Sequence, residues 1–519
     1  MKSRIFIQTN FSMKPFLLFI SFFCAGLCCS VQAQNITYSE VEKSDTRNLS
    51  FEILGKFTDH FLVYKNGNRR HEFTIYDNNM SVKENIRHEF ISDRATNISF
   101  ITYPDHFLMF WQFDKGNITR YQTAKFNASA GLIGTVTDLD EFRTALFSNK
   151  STYSLAWSED KKKILLSKIQ DRNDVFDLSS KVFDENLKLL DSSKKVFNYN
   201  DRREIFGDAQ IDNDGTCVFT KIRHNALVQS VNSLEVYQKK MKADTFSTVK
   251  IPFEKHLIQD PFLKIDNLNK RYLINSFSYK RSGGNTDGLF TAVLNSQPFT
   301  LVNSATNIFS DTLISKLSGK PGWRMAFDNF NLRNIILKKD GGFMAVSEQY
   351  YKQRRFGTAF DDRFAPGIAN YRFNSASDYY LYNRGYNGYY RPFNDSQSRD
   401  IIYHYNDIIS FSFTKDLKLQ WNNVINKTTS DVENDNFLSF GNMNAGGEIH
   451  FLFLQKDNNR QIISDHGLQP DGSVKRYATL KGREAGYYFM PRLARQTGLR
   501  QMIIPCIVRN NLAFAKIDF

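Results

Sequence analysis

One short pattern recurs along nearly the whole chain: an apolar strand, a tight polar turn and a second apolar strand. It is clearest in HFLVYKNG at residues 60–67, DHFLMFWQFDKG at 105–116, KKDGGFMAVSEQYY at 338–351 and GLRQMIIPCIV at 498–508. Counting the pattern gives eight units, beginning near residues 51, 97, 152, 207, 261, 331, 436 and 487. Most follow one another at roughly 45 to 55 residues, which predicts a repeat architecture whose units bury their faces against each other.

Each unit reads as four strands, because a second hairpin with a polar turn follows the first. Examples are FTIYDNNMSVKEN at 73–85 and SSKVFDENLKLLDS at 179–192. Short runs rich in Phe, Tyr, Val and Ile, bounded by Asn, Asp, Gly and Lys, are typical of strands in hairpins. The sequence therefore predicts an all-β fold, a β-propeller of eight blades. Seven blades is the alternative, because the third unit and residues 310–330 are weak. The best helical candidate is residues 139–149.

The two ends of the chain complement each other. The eighth unit stops after LAFAKIDF at residues 512–519, where a fourth strand should begin, and residues 35–43 (NITYSEVEK) read as a lone strand. If this strand completes the last blade, the ring has no exposed edge. We therefore predict that residues 34–519 form one propeller domain closed by its N-terminal strand.

An outer-membrane β-barrel is a second alternative, because the chain is rich in aromatic residues and its last strand ends in Phe519. Barrel strands have about 9–11 residues that alternate between apolar and polar. The second strands here are short and continuously apolar, as in HFLMFW at 106–111 and IHFLFL at 449–454. Such runs are typical of strands buried between two packed sheets, and they favour the propeller.

Residues 1–33 have the pattern of a secretory signal peptide. Three basic residues without an acid accompany an apolar run at residues 16–27, and V-Q-A at 31–33 predicts cleavage after Ala33. The apolar run is too short to span a membrane, and Met13 is an equally good start. We expect an exported protein that does not span the membrane after cleavage. The periplasm is the favoured location, with the cell surface or the extracellular space as alternatives.

Charge and cysteine content restrict the classes of partner and site. The net charge of +14 becomes +11 when the three bases of the signal are removed, and the remaining basic residues are scattered. We therefore expect a protein or polysaccharide partner and no nucleic acid. The two cysteines beyond the signal, Cys217 and Cys506, fall in equivalent second strands and are predicted to be free and buried. The histidines are dispersed, so no metal site and no cofactor are predicted.

Two segments resemble chemical motifs without completing them. Asp212-Asn213-Asp214-Gly215 has alternating carboxylates, but a calcium loop also needs a downstream bidentate Glu, and a hairpin turn is the favoured interpretation. Glu348, at the end of a second strand, is a candidate for one carboxylate of a glycosidase pair. An ordinary acid at a strand end is the favoured interpretation there, and the catalytic residues are unknown.

The most distinctive local feature is an insertion at about residues 352–402, between the second and third strands of the sixth unit. Tyr and Arg alternate there with Gly and Asn, a composition typical of binding surfaces. We expect it on the face of the ring that carries the links between blades. The candidate binding residues are Tyr379, Tyr380, Tyr382, Arg384, Tyr386, Tyr389, Tyr390 and Arg391.

The segments IILKKDGGFMAVSEQYY and YHYNDIISFSFTKDLKLQWNNVINK, together with the signal, resemble a group of uncharacterised exported β-propeller-like proteins of Bacteroidota. The resemblance covers mainly residues 330–519. It implies an extracytoplasmic bacterial protein and brings no catalytic residues. From the residues and this resemblance we predict a non-enzymatic binding or scaffold protein of the bacterial envelope. The alternative function is a hydrolase of glycans or peptides with a site in the central channel.

Overall fold

The computed structural model describes most of the chain beyond the signal. The described residues are 35–43, 49–67, 70–143, 152–172, 175–198, 203–224, 231–253, 256–258, 261–280, 286–317, 329–354, 359–360, 401–432, 435–457, 460–479 and 486–519. Among them no helix is long and apolar enough to cross a membrane.

Strands make up nearly all of the regular structure. The first half contains β1 (Asn35–Tyr38), β2 (Leu49–Phe57), β3 (His60–Gly67), β4 (Arg70–Tyr76), β5 (Val82–Arg87), β6 (Thr96–Thr102), β7 (His106–Lys115), β8 (Ile118–Asn127), β9 (Leu132–Arg143), β10 (Thr152–Trp157), β11 (Lys163–Arg172), β12 (Val175–Asp184), β13 (Leu189–Asn198), β14 (Glu204–Phe206), β15 (Gln210–Ile211), β16 (Cys217–His224), β17 (Val231–Lys239) and β18 (Ser247–Lys250).

The second half contains β19 (Leu257–Ile258), β20 (Phe262–Asp266), β21 (Arg271–Tyr279), β22 (Gly288–Asn295), β23 (Thr300–Ile308), helix α1 (Asp311–Ser315), β24 (Phe330–Leu337), β25 (Phe343–Arg354), β26 (Ala359–Phe360), β27 (Ile401–Phe413), β28 (Leu419–Ile425), β29 (Thr429–Val432), β30 (Phe440–Asn444), β31 (Ile449–Asp457), β32 (Arg460–Leu468), β33 (Val474–Arg476), β34 (Tyr487–Phe489), the 3₁₀ turn η1 (Pro491–Leu493), β35 (Arg495–Gly498), β36 (Gln501–Val508) and β37 (Asn511–Asp518).

These strands form antiparallel sheets of consecutive hairpins. Four sheets have four strands each, in the orders β2-β3-β4-β5, β6-β7-β8-β9, β10-β11-β12-β13 and β30-β31-β32-β33. A sheet of order β24-β25-β27-β28 also carries β26 and β29, and the last sheet has the order β1-β37-β36-β34 with β35 on β36. A ten-stranded sheet contains two such units, joined through β19. The predicted all-β class and the four-stranded unit are confirmed.

The predicted helix at residues 139–149 is wrong where the structure describes it. Residues 139–143 belong to β9, which pairs with β8 as far as Ile118↔Arg143. Glu141 is a cross-strand partner of β8, where it accepts a hydrogen bond of 2.7 Å from Arg120. Pairing to a neighbouring strand therefore outweighs the local helical pattern. Residues 144–149 lie outside the described part of the chain.

One hairpin turn recurs between strands. At Asp184 the backbone N–H bonds to Lys188 O, Leu187 N–H bonds to Asp184 O, and Leu187 has φ of 65°. The Asp184 carboxylate accepts the N–H groups of Asn186 and Lys188, which explains the preference for Asp at this position. The same turn begins at Asp212, where Gly215 takes the positive φ of 85°. The interpretation of that segment as a hairpin turn is confirmed.

Apolar clusters join each unit to the next along the chain. Phe73 of the first sheet packs with Phe100 and Phe107 of the second, and equivalent clusters follow at every later junction. A further cluster joins the last sheet to the first, where the Phe51 and Phe514 rings meet edge to face with centroids 5.6 Å apart. The last sheet therefore also packs against the first.

The N-terminal strand belongs to the last sheet. β1 pairs antiparallel with β37 from Asn35↔Asp518 to Tyr38↔Ala515, so the predicted pairing is present. Beyond β1, Glu42 bridges to Leu512 and binds the ammonium of Lys65 on β3. Lys65 is buried and also donates hydrogen bonds of 2.9 Å to Thr74 and Tyr76. The N-terminal segment thus ties the last sheet to the first through a shielded ion pair.

Removing the carboxylate of Glu42 tests this ion pair. Glu42→Ala leaves the buried Lys65 ammonium without its counter-ion, and we expect a loss of about 2–3 kcal/mol in the free energy of unfolding. Glu40→Ala is the matched control, because Glu40 is exposed two residues away; it should cost less than about 0.5 kcal/mol. Deleting residues 35–43 should lower Tm further. Equal losses for the two single variants in denaturant unfolding would contradict the assignment.

A buried histidine predicts how stability depends on pH. His71 Nε2 lies 2.9 Å from Ser92 O, which can only accept, so Nδ1 accepts the Tyr64 hydroxyl at 2.6 Å in the neutral ring. Burial lowers the pKa of His71 below its usual 6.5, although the bond to Ser92 opposes the shift. The unfolded chain therefore binds this proton more readily than the folded protein does.

The stabilisation that comes from keeping His71 neutral is complete above about pH 6.5 and decreases as the pH falls toward the lower folded pKa. We expect Tm to fall between pH 7.5 and 5.5, and the slope to be smaller in His71→Gln, which cannot take up the proton. Thermal unfolding across this range is the measurement. The same slope in both proteins would show that His71 does not contribute.

Candidate functional site

The sheet that carries the insertion extends beyond its neighbours as a ribbon. β25 and β27 continue to pair from Tyr350↔Tyr405 to Arg354↔Ile401, past the start of β24 at Phe330↔Gln349. β26 pairs with the outer part of β25, and β29 pairs with that of β27. We call this ribbon of four strands the stalk. The predicted insertion boundaries at 352 and 402 thus fall inside paired strands, which continue to Arg354 and resume at Ile401.

Alternating side chains explain why the stalk stays paired outside the sheet. The rings of Tyr350 and Tyr405 lie 4.7 Å apart, and those of Tyr351 and His404 stack at 4.5 Å. His404 also hydrogen-bonds Gln353 at 3.1 Å. Aromatic pairs directly across two strands are among the stronger cross-strand contacts. The stalk therefore has its own stabilising contacts and does not depend on backbone pairing alone.

A buried carboxylate, Glu348, lies at the base of the stalk. Its Oε1 is 2.7 Å from the Lys427 ammonium, and its Oε2 accepts hydrogen bonds from Arg333 at 2.8 Å and Ser439 at 2.6 Å. Glu348 is fully buried, and both cations are nearly so. Arg333 comes from β24, whereas Lys427 and Ser439 lie in loops before β29 and β30. The network therefore joins the stalk-bearing sheet to the next one.

A second ion pair extends the network to the last sheet. The Tyr405 hydroxyl donates to Asp435 at 2.6 Å, and Arg492 of η1 donates two hydrogen bonds to the same carboxylate, at 2.6 and 3.0 Å. The Arg333 guanidinium lies over the Tyr405 ring at 5.4 Å. Lys427 also donates to Tyr405 O at 3.0 Å. We call these residues (Arg333, Glu348, Tyr405, Lys427, Asp435, Ser439 and Arg492) the anchor network.

Electrostatics keep Glu348 ionised. Burial alone would raise its pKa, but the charges of Lys427 and Arg333 outweigh burial, and the pKa of Glu348 is lowered. Burial lowers the pKa of Lys427, and the Glu348 charge partly offsets that effect. Burial and the Asp435 charge raise the pKa of Tyr405 well above its usual range. Glu348 is thus a neutralised, inaccessible carboxylate with no proton to donate, and its geometry is that of an anchor.

The structure describes only some of the residues that the sequence analysis singled out. Tyr379, Tyr380, Tyr382, Arg384, Tyr386, Tyr389, Tyr390 and Arg391 lie outside the described residues. Glu348 is described, but it is a core ion-pair residue and not a surface acid at a strand end. Cys217 and Cys506 are free and buried in β16 and β36, as predicted.

The sequence analysis missed the partners of Glu348. A signal for one of them was present, because Arg333 interrupts the apolar strand FNLRNIIL. A charge inside a buried strand requires a partner of opposite sign. Lys427 and Arg492, by contrast, lie in a loop and a 3₁₀ turn, where basic residues are ordinary.

Comparison with known proteins adds little to this geometry. No family model and no curated protein matches the chain. Among solved structures, a polysaccharide lyase of family PL25, an ulvan lyase, is similar with a TM-score of 0.40 and 8% identity, over 92% of this chain and 94% of that one. Prolyl oligopeptidase B from Galerina marginata gives a TM-score of 0.40 and 9% identity, over 90% of this chain and 56% of that one. An apocarotenoid oxygenase from Synechocystis gives 0.31 and 7%, over 94% of each chain.

This chain spans about half the length of the prolyl endopeptidases that it matches, 45% of one and 56% of another. At these TM-scores the similarities support no conclusion about function.

The anchor network predicts an asymmetric response to substitution. Glu348→Gln removes the charge that neutralises two buried cations, and we expect a loss of about 3–5 kcal/mol in the free energy of unfolding. The matched control is Glu72→Gln, which breaks a hydrogen bond of 2.8 Å to the exposed Arg87 and should cost at most about 1 kcal/mol. Denaturant unfolding measures both. A cost below 1 kcal/mol at Glu348 would show that the network does not hold the sheets together.

Proposed function

We propose that this protein is an eight-bladed β-propeller, closed by β1, that acts as a non-enzymatic binding or scaffold protein of the bacterial envelope. The cyclic order of the apolar clusters and the β1–β37 pairing support the closed ring. The eight blades are the four-stranded sheets, the two units of the ten-stranded sheet, the stalk-bearing sheet and the last sheet. The first strand of each blade then surrounds a central channel.

The observation that carries the proposal is the rigid attachment of the stalk. A ribbon that only connected the insertion to its sheet would need no buried ion pairs at its base. Here Glu348 and Asp435 fix it to the next two sheets through short charge-assisted hydrogen bonds. A stalk held in one position reduces the conformational entropy that is lost when the insertion binds a partner. We infer that the stalk serves recognition by the insertion between residues 352 and 402.

The composition of the insertion supports a macromolecular partner, a protein or a polysaccharide. Tyr and Arg give large contact areas with few rotatable bonds and are enriched at binding hot spots. The signal pattern at residues 1–33 and the resemblance to exported proteins of Bacteroidota support residence in the envelope, in the periplasm by preference. A hydrolase with a site in the channel is the competing function. Two carboxylates at the base of the stalk, Glu348 and Asp435, are each neutralised by adjacent cations, which favours the binding role.

Removal of the insertion tests the proposal. A Gly/Ser bridge replacing residues 356–398 keeps β25, β27 and the anchor network, so Tm should change by less than about 2 °C. The full chain, immobilised and incubated with envelope extract, should retain a partner that is then purified. Calorimetry should give at least a 100-fold weaker affinity for the truncated chain.

The matched control keeps the insertion and changes only Tyr379, Tyr380 and Tyr382 to Ser, which should also weaken binding. Equal affinity of the truncated and full chains for the purified partner would contradict the binding role. Release of shorter glycans or peptides from envelope material by the truncated chain would favour the hydrolase instead.

A further inference from the structure

Arg495 is a partly buried cation that forms no ion pair with any described residue. Arg495 lies on β35, the first strand of the last sheet, which contacts the first strands β2 and β30 of the neighbouring sheets. Its guanidinium makes no hydrogen bond or ion pair with any described residue, and its Nη1 atom is covered by protein. Burial lowers the pKa of Arg495, and the nearby charge of Glu52 offsets this only in part.

Other buried or nearly buried cations among the described residues do have a counter-ion. Lys65 binds Glu42, Lys239 lies 2.6 Å from Asp191, Arg271 lies 2.7 Å from Asp266, and Arg333 shares Glu348 with Lys427. A buried charge without a partner destabilises a protein by the full cost of removing it from water. Such a group is retained where a ligand or an ion from outside the chain pairs with it. Arg495 therefore lacks a counter-ion among the residues that the structure describes.

A second cation lies at the same level of the ring. Lys264 is on β20, another first strand, and like Arg495 it lies a few residues before the turn to the second strand. Its ammonium forms no hydrogen bond or ion pair with described residues. Burial lowers the pKa of Lys264, and the charges of Glu159 and Asp266 oppose the shift. Asp266 is already neutralised by Arg271, so it compensates Lys264 only weakly.

A third cation, from another unit, lies near Arg495. Lys161 lies in the turn after β10 and donates to Thr102 O at 2.7 Å. Burial lowers its pKa, and the Arg495 charge lowers it further, so these cations from the third and last units are close enough to repel each other. Cations from three separate units thus lie near the turns between first and second strands, where Glu52 and Glu159 are the carboxylates that influence Arg495 and Lys264.

Turns from three blades meet beside these cations. Asp160 N–H donates to Asn213 at 3.2 Å, Asn213 N–H donates to Asn267 at 2.9 Å, and the Asn267 amide donates to Glu159 at 2.9 Å. Direct contact between the third and fifth units requires their turns to lean inward across the fourth. The interior is therefore narrow at this end, which brings side chains from different blades within reach of one small group.

We propose that Arg495 binds an oxyanion, a carboxylate or a phosphate, inside the ring near the turns that join first and second strands, and that Lys264 and Lys161 provide the surrounding positive potential. A planar guanidinium pairs with two oxygens of either group. The site is at the end of the ring opposite the stalk. It uses no residue of the insertion and is independent of the binding function proposed above.

The proposal predicts opposite signs for two similar substitutions. Arg495→Met removes a partly buried charge that has no ion pair among the described residues, so Tm without added anion should rise. Arg333→Met is the matched control. It leaves the buried Glu348 carboxylate with Lys427 as its remaining cation, so Tm should fall. If Arg495 were a structural residue held by Glu52, Arg495→Met would lower Tm as well, and that result would overturn the proposal.

Ligand binding is tested on the full chain with inorganic phosphate and with glucuronate, each at constant ionic strength set with sodium chloride. At a 100-fold excess over Kd the wild type should gain on the order of 3 °C in Tm. Arg495→Met should gain nothing, and Lys264→Met should need a higher concentration for the same gain. A response to phosphate alone identifies a phosphoryl ligand, and a response to glucuronate alone identifies a carboxylate ligand.

Two results would overturn the oxyanion site. One is the absence of any shift with either anion in the wild type, which would mean that water alone solvates Arg495. The other is an equal shift in the wild type and Arg495→Met, which would mean a general salt effect. The chain lacking residues 356–398 should respond like the wild type, so the outcome does not depend on the insertion.

Discussion

The face-to-face packing of consecutive sheets is the constraint on which the rest of the structure depends. A sheet covered on both faces must be apolar on both faces of its middle strands. The second strands β3, β7 and β36 accordingly contain unbroken runs of buried residues. Charged residues are then restricted to turns, to outer strands and to places where a counter-ion is buried with them. The paired cations Lys65, Arg333 and Lys427 are direct results of this restriction.

The same packing explains why much of the fold could be predicted from sequence. A strand buried on both faces and bounded by a polar turn leaves a local signal that needs no knowledge of distant residues. The first strands were expected near residues 97, 152 and 331, and they begin at Thr96, Thr152 and Phe330. The unit expected near residue 207 has its first strand divided into β14 and β15 around Gly207. A Cβ there would overlap the Thr220 hydroxyl of β16.

Features that depend on distant partners could not be predicted in this way. Glu348 was noticed because it ends a strand before a long insertion, yet its partners Arg333, Lys427 and Ser439 are 15, 79 and 91 residues away along the chain. Nothing local in VSEQYY distinguishes a surface acid from a core anchor. The helix expected at residues 139–149 failed for a related reason. Residues 139–143 pair with β8, and one of their cross-strand partners, Arg120, lies 21 residues before Glu141.

The two ends of the proposed ring differ in whether their cations have counter-ions. This difference separates the two kinds of recognition proposed above. At the base of the stalk the described cations Arg333, Lys427 and Arg492 lie among the carboxylates of Glu348, Asp407 and Asp435. The partner proposed for that end would find these charges already paired, which is why its recognition is assigned to the insertion. At the opposite end Arg495 and Lys264 have no such complement. A ligand there would be recognised by side chains of the ring itself. The free-energy cost of moving the Arg495 and Lys264 charges away from water has already been met when the sheets pack together.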